Sequence, residues 1–161
     1  LDGSRTYQHV DLGYNYRFTN LQAAIGLAQL EKIDEYIEAR RYHAKLYSQL
    51  LTEVPGIQLP IEKPYAKNVY WMYGIVVNPK KFGCSRDVLM TKLKEKGIDS
   101  RLFFNPMHSQ AVLKQFSIID KNKYPISQWL SENGLYLPSG SNLTEQQIRY
   151  ISDTIKQIHT K

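Results

Sequence analysis

Residues 13–31 read GYNYRFTNLQAAIGLAQLE and hold the strongest local signal in the chain. Thr19 stands three residues before Gln22. This is the spacing of a capping box, in which a hydroxyl and an amide bind backbone groups that the first turn of a helix leaves unpaired. Apolar residues then recur at helical spacing, at Leu21, Ala24, Ile25 and Ala28. The stretch predicts a capped amphipathic helix that follows an extended loop of residues 1–18.

Helical and strand patterns alternate along the remainder of the chain. A second periodic set from Ile33 to Leu51 continues the first helix or restarts it after a bend near Asp34, and Pro55-Gly56 ends it. Strands are predicted at 57–60, 69–77 and 98–104. Further helices are predicted at 85–96, 109–116, 125–133 and 144–159.

This order of elements predicts an α+β fold. We expect a small antiparallel or mixed sheet with helices packed on one face, preceded by a long helical segment. In the helix of residues 85–96, the residues expected to face inward are Val88, Leu89 and Leu93.

Composition limits the class of protein. The 161 residues fit one domain, and 42% hydrophobic with 22% charged residues is typical of globular proteins. No apolar run approaches the roughly 18 residues that a membrane span needs, and no signal peptide is visible. The chain opens on Leu1, so we expect that its native N-terminus is missing. With Cys84 as the single cysteine, an intrachain disulfide is excluded and a cytoplasmic location is favoured.

The charge of the chain raises the question of a nucleic-acid partner. The formal net charge is +6, but the lysines are spread along the sequence and no nucleic-acid-binding motif accompanies them. A basic lining for a phosphate-bearing small molecule explains the charge equally well. Four histidines are scattered without metal-ligand spacing, at positions 9, 43, 108 and 159. We therefore expect neither a nucleic-acid partner nor a metal.

The loop before the first helix is the best candidate for a binding site. It carries the amide of Asn15, the guanidinium of Arg17 and the phenols of Tyr14 and Tyr16. These groups precede a helix N-terminus, a favourable place for an anion. An ordinary turn with solvated side chains is the alternative, and the residues alone leave both open.

Residues 13–31 also closely resemble a signature of the DegT/StrS-type sugar-nucleotide aminotransferases. Four later segments resemble that family in the same order, so that the likeness covers almost the whole chain. They are Arg40-Arg41 with Tyr47 and Leu50, Tyr70-Trp71-Met72-Tyr73, GIDSR with FNPMH in residues 97–108, and GLYLPS with Leu143-Thr144 in residues 134–144.

The resemblance implies the C-terminal part of a fold-type I pyridoxal-phosphate enzyme. Residues 1–18 then form an active-site and interface loop, residues 19–161 form the small domain, and the N-terminal cofactor domain is absent. Such enzymes are homodimers that move an amino group, typically from glutamate, to a nucleotide-linked keto-sugar. The lysine that binds the cofactor lies upstream in the family. We therefore expect this chain alone to be inactive and not to hold pyridoxal 5'-phosphate covalently.

The resemblance also assigns residues. Asn15 matches the asparagine that reaches the cofactor phosphate of the partner subunit. Arg17 matches an arginine suited to a substrate carboxylate or phosphate. His108 matches a histidine near the substrate, with a structural histidine that fixes a loop as the alternative, and Tyr16 joins the substrate site. For Arg101 and Tyr73 we favour packing or interface roles.

Two rival functions stay open at this stage. Some members of the family carry histidine in place of the cofactor lysine and dehydrate the sugar. The chain could also be a free-standing module that binds or dimerises without catalysis. The residue that distinguishes the aminotransferase from the dehydratase is absent from this chain.

Overall fold

The computed structural model describes residues 9, 11–116 and 124–159. The chain divides into two compact units, one of Leu1–Glu31 with Phe103–Glu132 and one of Lys32–Leu102 with Asn133–Lys161. Residues 1–8 and 10 of the predicted loop lie outside the described residues. The assignment of residues 1–18 to an interface loop and of 19–161 to a small domain stays a prediction.

The elements follow one another in a mixed order along the described ranges. The helices are α1 (Asn20–Leu30), α2 (Ile33–Leu51), α3 (Pro79–Phe82), α4 (Arg86–Glu95), α5 (Pro125–Asn133) and α6 (Glu145–His159). The strands are β1 (Ile57–Gln58), β2 (Tyr73–Val77), β3 (Arg101–Leu102) and β4 (Gly134–Leu137). Two 3-10 helices cover Met107–Ser109 and Ala111–Phe116, where the sequence predicted one helix.

Helix α1 begins at the predicted capping box. The Thr19 hydroxyl accepts from the Gln22 backbone N–H at 3.2 Å, and Gln22 Oε1 accepts from the Thr19 backbone N–H at 2.9 Å. The helix breaks at residues 31–32, just before the bend predicted near Asp34, and α2 then starts at Ile33. No residue of α1 is buried, so its predicted apolar stripe is exposed to solvent.

The sheet lies in the second unit and is antiparallel throughout. Its strand order is β1-β2-β4-β3. The register pairs Ile57 with Val77, Tyr73 with Leu137, and Arg101 with Tyr136. Helices α2, α4 and α6 close over this sheet, and the α+β fold with a small sheet is confirmed.

The hydrophobic core of this unit is built from alternate strand positions and the facing helices. On β2, Tyr73, Ile75 and Val77 are fully buried, as the two-residue period of a strand requires. Tyr47 of α2 stacks on Tyr73 with 4.8 Å between ring centroids and donates its hydroxyl to the Pro138 carbonyl. Burial raises the pKa of the Tyr73 phenol to about 12. Tyr73 thus packs in the core; the sequence favoured a packing or interface role for it.

Strands and one helix face differ from the sequence prediction. Residues 69–72 are not strand, because Tyr70 adopts φ +47° and its N–H binds the Asn68 side chain instead of a neighbouring strand. Val88 was predicted to face inward but is 42% exposed, whereas Leu89 and Leu93 are fully buried. Consecutive helical residues point about 100° apart, so Val88 lies at the edge of the face that Leu89 and Leu93 bury.

The described ranges contain neither a membrane-spanning helix nor a cluster of metal-binding side chains. None of their helices is both long and apolar enough to cross a membrane. None of their His, Cys, Asp and Glu side chains gather in threes in a way that could hold a metal ion.

Candidate functional site

The loop that leads into α1 presents its polar side chains to solvent. Asn15 and Arg17 are exposed. Tyr14 and Tyr16 are 80% and 87% exposed, and their rings stack with centroids 5.8 Å apart. An amide, a guanidinium and two phenols thus share one short surface segment, with Thr19 and the N-terminus of α1 directly after it. Their donor chemistry suits a phosphate or carboxylate.

The base of this loop lines a cavity of about 450 Å³ in the first unit. His9, Asp11 and Gly13 contribute one side, and Phe104, Asn105 and Met107 contribute to the other. The backbone N–H of His9 donates to Gln110 Oε1 at 3.1 Å, which ties the two sides together. Two separate family-like segments therefore meet at one concave surface.

His108 lies in the segment that forms this cavity wall, but its side chain is buried. It is 8% exposed, its Nε2 lies 3.3 Å from Gln128 Oε1, and its ring stacks on Tyr124 with 5.2 Å between centroids. The 3-10 turn that carries it is fixed by Ser109, whose hydroxyl donates to the Pro106 carbonyl at 2.7 Å. The ring is thus held in one orientation by contacts within the first unit.

A second cavity, of about 410 Å³, lies in the other unit. It is lined by two cations, Arg40 and Arg101, one anion, Asp99, and the aromatic rings of Trp71 and Tyr136. Arg40 donates from Nη1 to the carbonyls of Trp71 at 2.6 Å and Ser139 at 3.1 Å. Arg40 therefore joins two loops, while Arg101 stands exposed on β3.

Sequence reasoning missed a polar cluster that fastens the segment between β1 and β2 to α2. Arg41 donates to Glu62 at 3.0 Å and to the Asn68 carbonyl at 2.5 Å, and the Tyr70 hydroxyl donates to Glu62 at 3.0 Å. The hydrogen bonds from Arg41 and Tyr70 lower the pKa of the Glu62 carboxyl from its ordinary value. These hydrogen-bonded partners are 8 to 27 residues apart, so no local sequence spacing indicates them.

Comparison with known proteins places these segments in a family. The model of the DegT/DnrJ/EryC1/StrS aminotransferase family matches residues 2–156. The chain belongs to this family. The resemblance drawn from the sequence segments is therefore confirmed.

Relatives of this DegT/DnrJ/EryC1/StrS chain include the GDP-perosamine synthase of Vibrio cholerae. It is 38% identical over 152 residues, which cover 94% of this chain and 40% of that protein. This chain thus spans about two fifths of the length of the curated relative it matches.

Solved structures share the fold. S. venezuelae DesV superposes with a TM-score of 0.79 at 24% identity, covering 98% of this chain and 41% of that one. E. coli GDP-4-keto-6-deoxy-D-mannose-3-dehydratase, which holds hydrated pyridoxal phosphate, superposes with a TM-score of 0.77 at 24% identity, covering 89% and 37%. At such identities the two likenesses establish the fold alone.

Proposed function

We propose that the protein to which this chain belongs transfers an amino group from glutamate to a nucleotide-linked keto-sugar. The observation that carries the proposal is the family match over residues 2–156. The V. cholerae relative, named for a GDP-linked amino sugar, supports a nucleotide-linked substrate. We assign residues 19–161 to the small domain of that enzyme and residues 1–18 to its interface loop.

Pyridoxal 5'-phosphate, when bound, supplies the electron sink for amino transfer. The donors on the loop fit its phosphate end. Asn15 offers amide N–H groups from an exposed position, and we assign it to the cofactor phosphate of a partner subunit in a homodimer. None of the lysines of this chain lies in the family's cofactor-binding motif. This chain alone therefore holds no covalent cofactor and is inactive in our proposal.

We assign substrate binding to Arg17, Tyr16 and His108. The guanidinium of Arg17 is a planar fork that matches a carboxylate or phosphate. Both Arg17 and Tyr16 are exposed, where water weakens electrostatic interactions severalfold relative to a covered site. Their exposure supports a site that closes only when another surface covers the loop.

The apolar side chains of α1 support the same arrangement. Leu21 and Ile25 lie on one side of the helix and Leu27 and Leu30 on the opposite side, and all four are 59% to 73% exposed. Exposed apolar surface on both sides of a helix marks a region that another part of a protein covers. We assign the covering surface to the part of the parent enzyme outside residues 1–161, because this chain spans only two fifths of the length of its V. cholerae relative.

The reaction is tested with the full-length enzyme, a GDP-linked 4-keto-6-deoxy sugar and glutamate labelled with ¹⁵N at the amino group. Mass spectrometry of the sugar product should show one ¹⁵N atom in place of the keto oxygen. A product that gains no nitrogen would contradict the proposal. The same reaction with unlabelled glutamate is the control, and its product should lack the mass shift caused by ¹⁵N.

A sugar dehydratase is the second candidate. The E. coli dehydratase shares the fold of this chain, so the fold itself accommodates either reaction. The same assay separates the two, because a dehydratase product loses a hydroxyl group and carries no nitrogen. A non-catalytic binding module would leave the sugar unchanged in both respects.

A further inference from the structure

A short polar relay connects α5 to the imidazole of His108. Gln128 and Glu132 lie one helical turn apart on α5, where residues i and i+4 face the same side. The Gln128 side-chain amide donates from Nε2 to Glu132 Oε1, and Gln128 Oε1 lies 3.3 Å from His108 Nε2. All three side chains belong to the same compact unit.

The direction of each hydrogen bond in this relay follows from Glu132, the residue at its solvent-exposed end. Glu132 is exposed, and an ionised carboxylate has only acceptors. The NH₂ group of Gln128 must therefore face Glu132, which turns the amide oxygen toward His108. An amide oxygen also only accepts, so His108 Nε2 must donate a proton to it.

The other ring nitrogen, Nδ1, then carries no proton and has a lone pair that can accept a hydrogen bond. The hydrogen bond of the His108 ring to the described residues runs from Nε2. The stack on Tyr124 fixes the ring plane. We propose that Gln128, oriented by Glu132, is a positioning residue that keeps neutral His108 in its Nε2–H form, with Nδ1 as the unprotonated acceptor.

This arrangement gives His108 a defined chemical task. Nδ1 can accept a hydrogen bond from a sugar hydroxyl or take up a proton from a substrate group, while Nε2 cannot. The tautomer itself is a property of this chain. The task at the substrate rests on the proposed aminotransferase function.

The tautomer is tested by ¹⁵N nuclear magnetic resonance of the 161-residue chain labelled at histidine, at a pH where His108 is neutral. Protonated and unprotonated ring nitrogens resonate in separate ranges, and a His108→Asn variant assigns the signals. We expect a protonated Nε2 and an unprotonated Nδ1. Gln128→Glu, which keeps an acceptor at the same place, should preserve that pattern. Gln128→Leu and Glu132→Ala should both weaken it, and Ser127→Ala on the exposed side of α5 should leave it unchanged.

A His108 ring protonated at Nδ1 would overturn the proposal, as would a pattern that is unaffected by both Gln128→Leu and Glu132→Ala. In the full-length enzyme, Gln128→Leu should lower kcat/KM up to roughly a hundredfold, the lower end of what a positioned acid or base contributes. An enzyme without aminotransferase activity but with the expected tautomer would refute the proposed function and leave the positioning role standing. An active enzyme whose His108 has the opposite tautomer would refute the positioning role of Gln128 and leave the proposed function standing.

Discussion

Replacing Gly56 with alanine tests how closely the turn after α2 packs against α3. Gly56 has φ +79°, in the left-handed region where side chains are disfavoured. A Cβ atom there would lie 2.4 Å from the backbone nitrogen of Phe82 and 2.8 Å from the carbonyl carbon of Lys81. Both are backbone atoms, so neither can swing away as a side chain would.

The magnitude follows from two separate costs. The left-handed conformation costs a residue with a Cβ about 1–2 kcal/mol. Forcing one carbon into packed structure costs about 1–3 kcal/mol more. Gly97 provides the matched control, because its φ is +73° and nothing lies within 4 Å of the added Cβ. Gly97→Ala should therefore show the first cost alone.

Urea unfolding of the 161-residue chain measures both variants against the wild type. We expect the free energy of unfolding to fall by about 2–5 kcal/mol for Gly56→Ala and by about 1–2 kcal/mol for Gly97→Ala. The slope with urea should stay unchanged, which shows that stability and not compactness has changed. If the two variants are equally destabilised, the close contact between Gly56 and α3 does not exist.

The other predictions concern the cofactor, the loop and the polar cluster. Pyridoxal phosphate added to this chain and reduced with borohydride should label no single lysine stoichiometrically in a mass-spectrometric map, and one fully labelled lysine would contradict this. In the full-length enzyme, Arg17→Ala should impair substrate use and Asn15→Ala cofactor retention, each by about 1.5–3 kcal/mol or roughly ten- to a hundredfold, while the exposed Lys94→Ala should change neither. The Arg41 hydrogen bond lowers the pKa of Glu62, so the ion pair is complete above the ordinary value of 4.5 and is lost only as the pH falls through the lower pKa of the folded protein. Amide exchange of residues 62–70, corrected for its intrinsic pH dependence, should therefore rise in acid, and a Glu62→Gln variant should abolish that pH dependence.

Local signals in the sequence predicted local structure. The capping box at Thr19 and Gln22 formed as expected, because both partners lie within one helical turn. The helix at 125–133 lies where it was predicted, and the last helix begins at Glu145, one residue after its predicted start at 144. Three strands were predicted too long: β1 covers 57–58 and not 57–60, β2 covers 73–77 and not 69–77, and β3 covers 101–102 and not 98–104. For β2 the reason is Tyr70, whose left-handed conformation strand propensity does not register.

Long-range contacts in the candidate site were beyond sequence reasoning. The side chain of His108 could be singled out, but not its partner Gln128, which lies 20 residues away on α5. The four-residue spacing of Gln128 and Glu132 was visible, yet such pairs are common on helix surfaces and indicate no partner. The contact between Arg41 and Glu62 was missed for a similar reason. Glu62 lies in the segment between β1 and β2, which has no regular hydrophobic period from which its position could be predicted.

Exchange of subunits between two damaged full-length enzymes tests most directly whether the loop before α1 serves an active site in a partner. One enzyme carries Asn15→Ala and the other lacks the cofactor-binding lysine, so that each is weak or inactive by itself. In our account Asn15 acts across the dimer, so each mixed dimer has one intact site and one doubly damaged site, and amino transfer should return. The lysine variant mixed with itself is the control and should stay inactive. If the mixed dimers form and the amino transfer stays absent, Asn15 does not act in a partner's site and the account is wrong.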